Sequence, residues 1–291
     1  MIVDLISAGI QGGLGDAVMF SHLLGVSWNC SPKQAEIFKL FNRPVVTAGG
    51  IRIDKSYLAE IRDKGRKCRL DYVRRLLPEP VEIEFPTHNL TERELYLAKR
   101  KLDAVGRPAC VLFPTATRIE RTYPLNRWLD VDRGLREKGI YPVWLGESIE
   151  PDVYKFTGLE IREVVALVAM SDMVLGCESF GSSIGGALRK KVTCLVGPSN
   201  PAATGIWDIQ YVNGGGCSGC HWGKPYRPAC KYGCLPLQGI DPDFVVNCVD
   251  NLWQRGYKPN SCLVQLTNNC RRIDDGEKGN HTSSSPQSPQ G

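Results

Sequence analysis

The chain has 291 residues, a formal net charge of +5 and twelve cysteines. No run approaches the ~18 to 20 consecutive apolar residues that cross a bilayer, so no helical membrane span is expected. The length allows two cores of ordinary size, and the mild basicity favours an anionic partner without choosing among nucleotides, nucleic acid and phospholipid surfaces.

Residues 3–8 form the first apolar strand candidate, and residues 16–26 the helix after it. Between them lies "GIQGGLGDAVMF", with Gly12, Gly13, Gly15 and then Asp16. Glycines allow a sharp turn and close backbone approach, and a helix start offers unpaired N–H groups to an anion. The stretch lacks the Gly-Lys-Ser/Thr of a Walker A loop and the full dinucleotide fingerprint. Asp16 reads either as a catalytic carboxylate or as a first-turn acid favouring the helix dipole. A second helix starts at Ser31, followed by Pro32 and Gln34: an N-cap, a first-turn proline and a capping-box partner. Residues 45–47 and 81–85 are further strand candidates, the latter alternating in period two. Thr91 with Glu94 makes another capping box, opening a helix to about Val105. Gly106, Arg107 and Pro108 break it and mark the domain boundary.

The second half has a clearer rhythm. Residues 110–113, 142–145, 173–175 and 192–196 are short apolar runs, separated by helical patterns at 129–138, 161–170 and 182–188. Alternating strand and helix implies a parallel sheet with helices on its faces, a Rossmann-like domain. Residues 241–255 read as a closing helix. The tail, "GEKGNHTSSSPQSPQG", is too poor in apolar residues to fold. The domains are therefore 1–106, 107–270 and a disordered tail at 271–291.

Ligands of open α/β sheets bind at the carboxyl ends of strands. Two loops of the second half stand out there. "FPTATRIERTYPLNRW" carries Thr115, Thr117 and Arg121 before Pro124 opens a helix. Hydroxyls and a guanidinium fork suit a diphosphate, although a solvated basic loop would have the same composition. "GCESFGSSIGGALRKKVTCLVGPSNP" places Glu178, Ser179, Gly181, Ser182 and Ser183 at a helix start, and Asn200 beyond the next strand. Small residues and free N–H groups there suit phosphate, or permit tight helix packing.

Cys217, Cys220, Cys230 and Cys234 form a C-x2-C-x9-C-x3-C array within 217–234. Residues 1–6 include Asp4 and lack a basic leader region, so no secretory leader is expected and the thiols are expected to be reduced. Four thiolates at this spacing suit a closed tetrahedral Zn²⁺ site of structural type, with His221 in place of one thiolate or a redox pair as the alternatives. The other eight cysteines read as small core or loop residues. With no secretory route, the sequons at Asn89 and Asn280 carry no weight.

Taken together, the loops resemble glycosyltransferase family 9, which includes the ADP-heptose:lipopolysaccharide heptosyltransferases. "GGLGDAVMF" resembles its N-terminal Gly-Asp motif, "PTATRIERTYPLNRW" its threonine-rich basic loop, and "VLGCESFGSSIGGALRKKVTCLVGPSNP" its Gly-Asn-Asp-Ser-Gly to Gly-Pro-Thr-Asp-Pro segment. The resemblance is good from about Ala109 to Trp253, and a cysteine cluster often follows in the family, as here. It implies a GT-B fold: two Rossmann-like domains facing a cleft, the N-terminal one compact in this chain, with the small four-cysteine zinc module added. It also implies an inverting glycosyltransferase using a nucleotide-diphosphate sugar, with bacterial lipopolysaccharide or a related glycan as acceptor. Asp16 would be the catalytic base. Gly15, Thr115, Thr117, Arg121, Glu178, Ser179, Gly181, Ser182, Ser183 and Asn200 would bind the donor, with no divalent metal needed for catalysis. Arg121 stands where the family usually has Lys, Glu178 where it has Asp, and Ser183 where it has His.

The implied location is the cytoplasm, including the inner membrane surface, and the acceptor is a glycan or a lipid-linked species. The compact first domain, the basicity and the zinc module also fit transfer to hydroxymethylated bases in DNA, which requires access to an unpaired base. A third reading, of another class, is a non-catalytic zinc-dependent nucleic-acid-binding protein.

Overall fold

The structure is a computed structural model and describes residues 1–4, 14–48, 50–52, 77–116, 119–146, 155–199, 209–215, 234–255 and 262–264. The strand expectation at 5–8, Gly12, Gly13 and the tail at 271–291 lie outside these residues.

Two parallel sheets organise the chain. The first contains β1 (Ile2–Asp4), β2 (Ser27–Asn29), β3 (Val45–Val46) and β4 (Ile51–Arg52), in the order β3-β2-β1-β4. Helices α1 (Leu14–Phe20) and α2 (Pro32–Leu40) connect its strands. The core of this half is aromatic: Trp28 stacks between Phe20 and Phe38, with ring centroids 5.5 and 4.8 Å apart.

The second sheet has seven strands in the order β11-β10-β9-β8-β5-β6-β7. They are β5 (Ala109–Phe113), β6 (Tyr141–Leu145), β7 (Lys155–Phe156), β8 (Met173–Cys177), β9 (Lys191–Val196), β10 (Gln210–Asn213) and β11 (Cys262–Val264). All pairings are parallel, with Leu112 opposite both Trp144 and Leu175. Strands covered on both faces read as continuous apolar runs, and β5 and β8 are buried at every residue. The helices are α3 (Glu92–Val105), α4 (Leu125–Glu137), α5 (Ile161–Met170), α6 (Phe180–Ala187), α7 (Leu235–Gln238) and α8 (Pro242–Arg255). α4 and α8 cover one face with Trp128, Val131, Leu135, Val245 and Val249. α5 and α6 cover the other, and their core is continuous with that of the first sheet through α1 and α2.

Both capping boxes form. Ser31 N–H donates to Gln34 Oε1 at 3.1 Å, and Thr91 N–H to Glu94 Oε2 at 2.7 Å. α3 packs along α5, where Arg162 donates from Nε to Glu94 Oε1 at 2.7 Å and from Nη1 to Asn89 Oδ1 at 2.9 Å.

Two elements differ from the sequence reading. Residues 81–85 alternate like a strand but, among the described residues, form one isolated antiparallel bridge, Ile83 to Leu23, and residues 82–85 are exposed. α1 stops at Phe20 and does not run to residue 26. The Ser21 hydroxyl donates to Val18 O at 2.6 Å and the His22 ring meets Val18 O and Met19 O at 3.1 and 3.2 Å, which satisfies the last carbonyls; Gly25 then turns the chain at φ +69°.

Candidate active site

α1 and α6 pack against each other. The reason lies in small residues at the contact. A Cβ on Gly15 would stand 3.1 Å from Ser183 Oγ and 3.7 Å from the Phe180 backbone, so a bare backbone lets the two helix starts approach. Gly181 faces Phe113 in the same way: an added Cβ would fall 2.1 Å from the ring, so α6 can begin directly over the end of β5 only without a side chain there. The two helix starts, together with the carboxyl ends of β5, β6 and β8, enclose a cavity of about 550 Å³. This is where a parallel α/β sheet places its ligands.

Eight of the residues named from the sequence line this cavity: Gly15, Asp16, Thr115, Arg121, Glu178, Ser179, Gly181 and Ser183. Asp16 comes from the first turn of α1, and Arg121 from the 3-10 turn Ile119–Arg121 that follows β5. Glu178 directly follows β8, its N–H held by Leu195 O at 3.1 Å. Its carboxylate accepts from Arg121 Nη1 at 3.0 Å and from the Ser199 hydroxyl at 2.7 Å. The side chains of Arg121 and Glu178 are only 19% and 15% exposed, so this ion pair is better shielded from solvent than a surface one. Ser182 does not line the cavity. It is buried, and its hydroxyl accepts from Ser179 N–H at 3.2 Å and donates to Ser179 O at 3.0 Å, capping α6. The Ser183 hydroxyl donates to Ser179 O at 3.2 Å.

The first-turn N–H groups of α6, Phe180 and Gly181 among them, have no carbonyl one turn earlier to pair with, as at any helix start. Beside Arg121 they make a polar end suited to an anion. The cavity also has an apolar lining from Leu145, Leu159, Ile161, Val164, Phe113 and Phe180. The sequence reading missed this lining, although the strand-end position of Leu145 and Gly146 was a usable signal. It also missed Ser199, which lies far along the chain from its partner Glu178.

Thr117, Asn200, Cys217, Cys220 and Cys230 lie outside the described residues. Cys234 is buried at the start of α7, and a Cβ on Gly197 would stand 3.0 Å from its sulfur. Among the described residues, no group of three or more His, Cys, Asp or Glu is placed to hold a metal ion. Cys110, Cys177, Cys194 and Cys248 are buried core residues, and burial pushes the thiols up, Cys248 to about 11 and Cys177 to about 12, which leaves them unreactive. No described helix is long and apolar enough to cross a membrane.

No protein-family model and no curated protein matches the sequence. Solved structures do match in shape. A glycosyl transferase of family 9 from Veillonella parvula superposes with a TM-score of 0.61 over 87% of this chain and 97% of its own, at 12% identity. The chain shares the fold of that glycosyl transferase. TibC, an iron-containing dodecameric glycosyltransferase from enterotoxigenic E. coli, matches with a TM-score of 0.55 over 87% of this chain and 78% of its own, at 17% identity. Its complex with ADP-D-beta-D-heptose matches over 87% and 76%, with a TM-score of 0.53. The likeness in fold to each of these structures spans 87% of the chain.

Proposed function

We propose that the chain is an inverting glycosyltransferase that takes a sugar from a nucleotide-diphosphate donor. One observation carries this reading: a carboxylate from the first sheet's helix and an arginine with a helix start from the second sheet line the same cavity. Its size, about 550 Å³, falls in the range of small-molecule sites. The solved structures of the same fold, one of them in complex with ADP-D-beta-D-heptose, support it.

In the proposed reaction the acceptor hydroxyl oxygen attacks the anomeric carbon from the face opposite the leaving group. Asp16 takes the hydroxyl proton as the new C–O bond forms. The bond from the anomeric carbon to the diphosphate oxygen breaks, its electron pair leaves with the nucleoside diphosphate, and the configuration inverts. Negative charge grows on the departing oxygen. Arg121, the N–H groups opening α6, and the hydroxyls of Thr115 and Thr117 are proposed to stabilise it, with Asn200 as a further proposed donor contact. Fixed donors of this kind take the place of a divalent metal in the proposal.

The proposed acceptor is a bacterial lipopolysaccharide or related glycan, met in the cytoplasm or at the inner face of the membrane. Nothing in the cleft favours DNA or a non-catalytic role, since a zinc-dependent binding module has no use for a carboxylate facing a phosphate-type turn. The four clustered cysteines are proposed to hold structural zinc. Cys234 fits such a role in being buried next to Gly197.

The test is a transfer assay with a panel of nucleotide sugars, alongside thermal shifts with ADP, UDP and GDP. One diphosphate should raise Tm, and Asp16→Asn should keep that shift while losing at least ~100-fold in turnover, the scale of general-base catalysis. Turnover of Asp16→Asn at the wild-type rate would remove the proposed base.

A further inference from the structure

We infer that Glu178 and Ser199 form a positioning relay that aims the Arg121 guanidinium into the cavity, so that Glu178 acts on the donor through Arg121 and makes no sugar contact of its own. The inference rests on the diphosphate site proposed above and adds to it the device that sets its geometry.

The relay is explicit in the hydrogen bonds. Ser199 is 1% exposed, and its hydroxyl, which has one proton to give, donates it to Glu178 Oε2 at 2.7 Å. The same oxygen accepts from Arg121 Nη1 at 3.0 Å, and the Glu178 carbonyl lies 3.4 Å from that nitrogen. Glu178 itself is fixed, because its N–H is bonded to Leu195 at the edge of β9. The chain of contacts therefore runs from the sheet, through a buried hydroxyl and a carboxylate, to a guanidinium lining the cleft. An arginine on a short 3-10 turn has several rotatable bonds, and its rigid planar fork is useful to a diphosphate only when its orientation is fixed.

Charge and geometry make opposite predictions here. A carboxylate next to a diphosphate site repels the ligand, and the Arg121–Glu178 pair carries no net charge. If net charge governed the site, neutralising Glu178 would tighten diphosphate binding. If Glu178 exists to orient Arg121, neutralising or shortening it weakens binding, and so does removing Ser199's hydroxyl. The loss is confined to ligands that carry the diphosphate.

The test is calorimetric titration of the full chain with ADP, UDP and GDP and with the matching nucleosides, for wild type, Glu178→Gln, Glu178→Asp, Ser199→Ala and the Glu178→Gln/Ser199→Ala double variant. The relay predicts roughly tenfold weaker diphosphate binding for Glu178→Gln, as for loss of one charge-assisted hydrogen bond, and a smaller loss for Ser199→Ala. Glu178→Asp, one methylene short, should also lose affinity. The double variant should be no worse than Glu178→Gln alone, because both changes break one path. Nucleoside affinity should stay at the wild-type value, while the Tm of the unliganded protein should fall in each variant because a shielded hydrogen bond is lost. Unchanged or tighter diphosphate binding in Glu178→Gln and Ser199→Ala would overturn the relay. Equal losses for nucleoside and diphosphate would also overturn it, since they indicate general loosening. If the wild type binds none of the three diphosphates, the donor-site reading itself fails and the relay with it.

Discussion

Gly181→Ala puts the largest local strain where the two halves of the proposed donor site meet. The new Cβ would lie 2.1, 2.3 and 2.7 Å from Cγ, Cδ2 and Cβ of Phe113. Carbon atoms in contact settle at ~3.5 Å or more, so about 1.4 Å of relief is needed at the nearest atom. The Phe113 backbone cannot supply it, because β5 is paired to β6 on one side and β8 on the other. The ring must turn toward the cavity that it and Phe180 line, or the first turn of α6 must lift away from the sheet. Overpacking of this kind costs ~1–3 kcal/mol, whereas replacing Gly by Ala within a helix returns at most ~1 kcal/mol. The clash wins, and a net loss of about 1–2 kcal/mol is expected. Gly185→Ala is the control on the same helix. Its Cβ would meet Val192 Cγ2 at 2.8 Å and Val174 Cγ2 at 3.2 Å, a milder overlap away from the cavity. Thermal unfolding should rank wild type, Gly185→Ala and Gly181→Ala in falling order of Tm. Diphosphate affinity should fall only in Gly181→Ala, since only there does the ring or the helix start move. Equal loss of affinity in both variants, or none in Gly181→Ala, would refute the reasoning that Gly181 holds the phosphate-type turn against β5.

His22 is 1% exposed and burial lowers its pKa to about 4 from 6.5, more than the carbonyls of Val18 and Met19 raise it, with Arg43 adding to the depression. The folded state thus binds the proton less readily than the unfolded one. Its contribution is complete above pH 6.5, falls as the pH drops from 6.5 to about 4, and is level below that. The shift corresponds to roughly 3 kcal/mol, so denaturant midpoints should fall across this window in the wild type and far less in His22→Gln; parallel curves would refute the assignment. For the proposed zinc site, elemental analysis should find one zinc per chain, lost together with several degrees of Tm in Cys217→Ser. A metal-free protein of unchanged stability would rule it out.

What the sequence disclosed and what it withheld follow from the range of the interactions involved. The capping boxes at Ser31 and Thr91 are made by residues three apart, so their chemistry is visible in a short window, and both form. The strands of the second sheet are equally legible, because burial on both faces requires unbroken apolar runs such as those of β5 and β8. Residues 81–85 show the limit of the same rule: period-two alternation shows that a segment can be half-buried, but a strand also needs a neighbouring strand, and among the described residues this one forms a single isolated bridge, to Leu23. The site divides in the same way. Asp16, Arg121 and the Glu178–Ser183 turn could be named because ligand chemistry restricts residue type, but the work of each small residue within the turn could not. Ser182 has the composition of a phosphate ligand and is used to cap its own helix.

Glycine is the harder case, because one residue type answers both to a ligand and to a neighbouring helix. Gly15 is explained by Ser183 and the Phe180 backbone, and Gly181 by the Phe113 ring, without reference to any bound molecule. These contacts are nonetheless what joins the two sheets' helix starts, so packing and function are coupled here. The distance from Asp16 to the α6 turn is set by how closely α1 and α6 approach, and at Gly15 that approach is close enough that an added Cβ would stand 3.1 Å from the Ser183 hydroxyl. A base must lie within hydrogen-bond reach of the proton it abstracts. In this chain, therefore, the glycine beside Asp16 acts on the proposed chemistry by permitting the close approach of two helices, one carrying the proposed base and the other the proposed anion-binding turn.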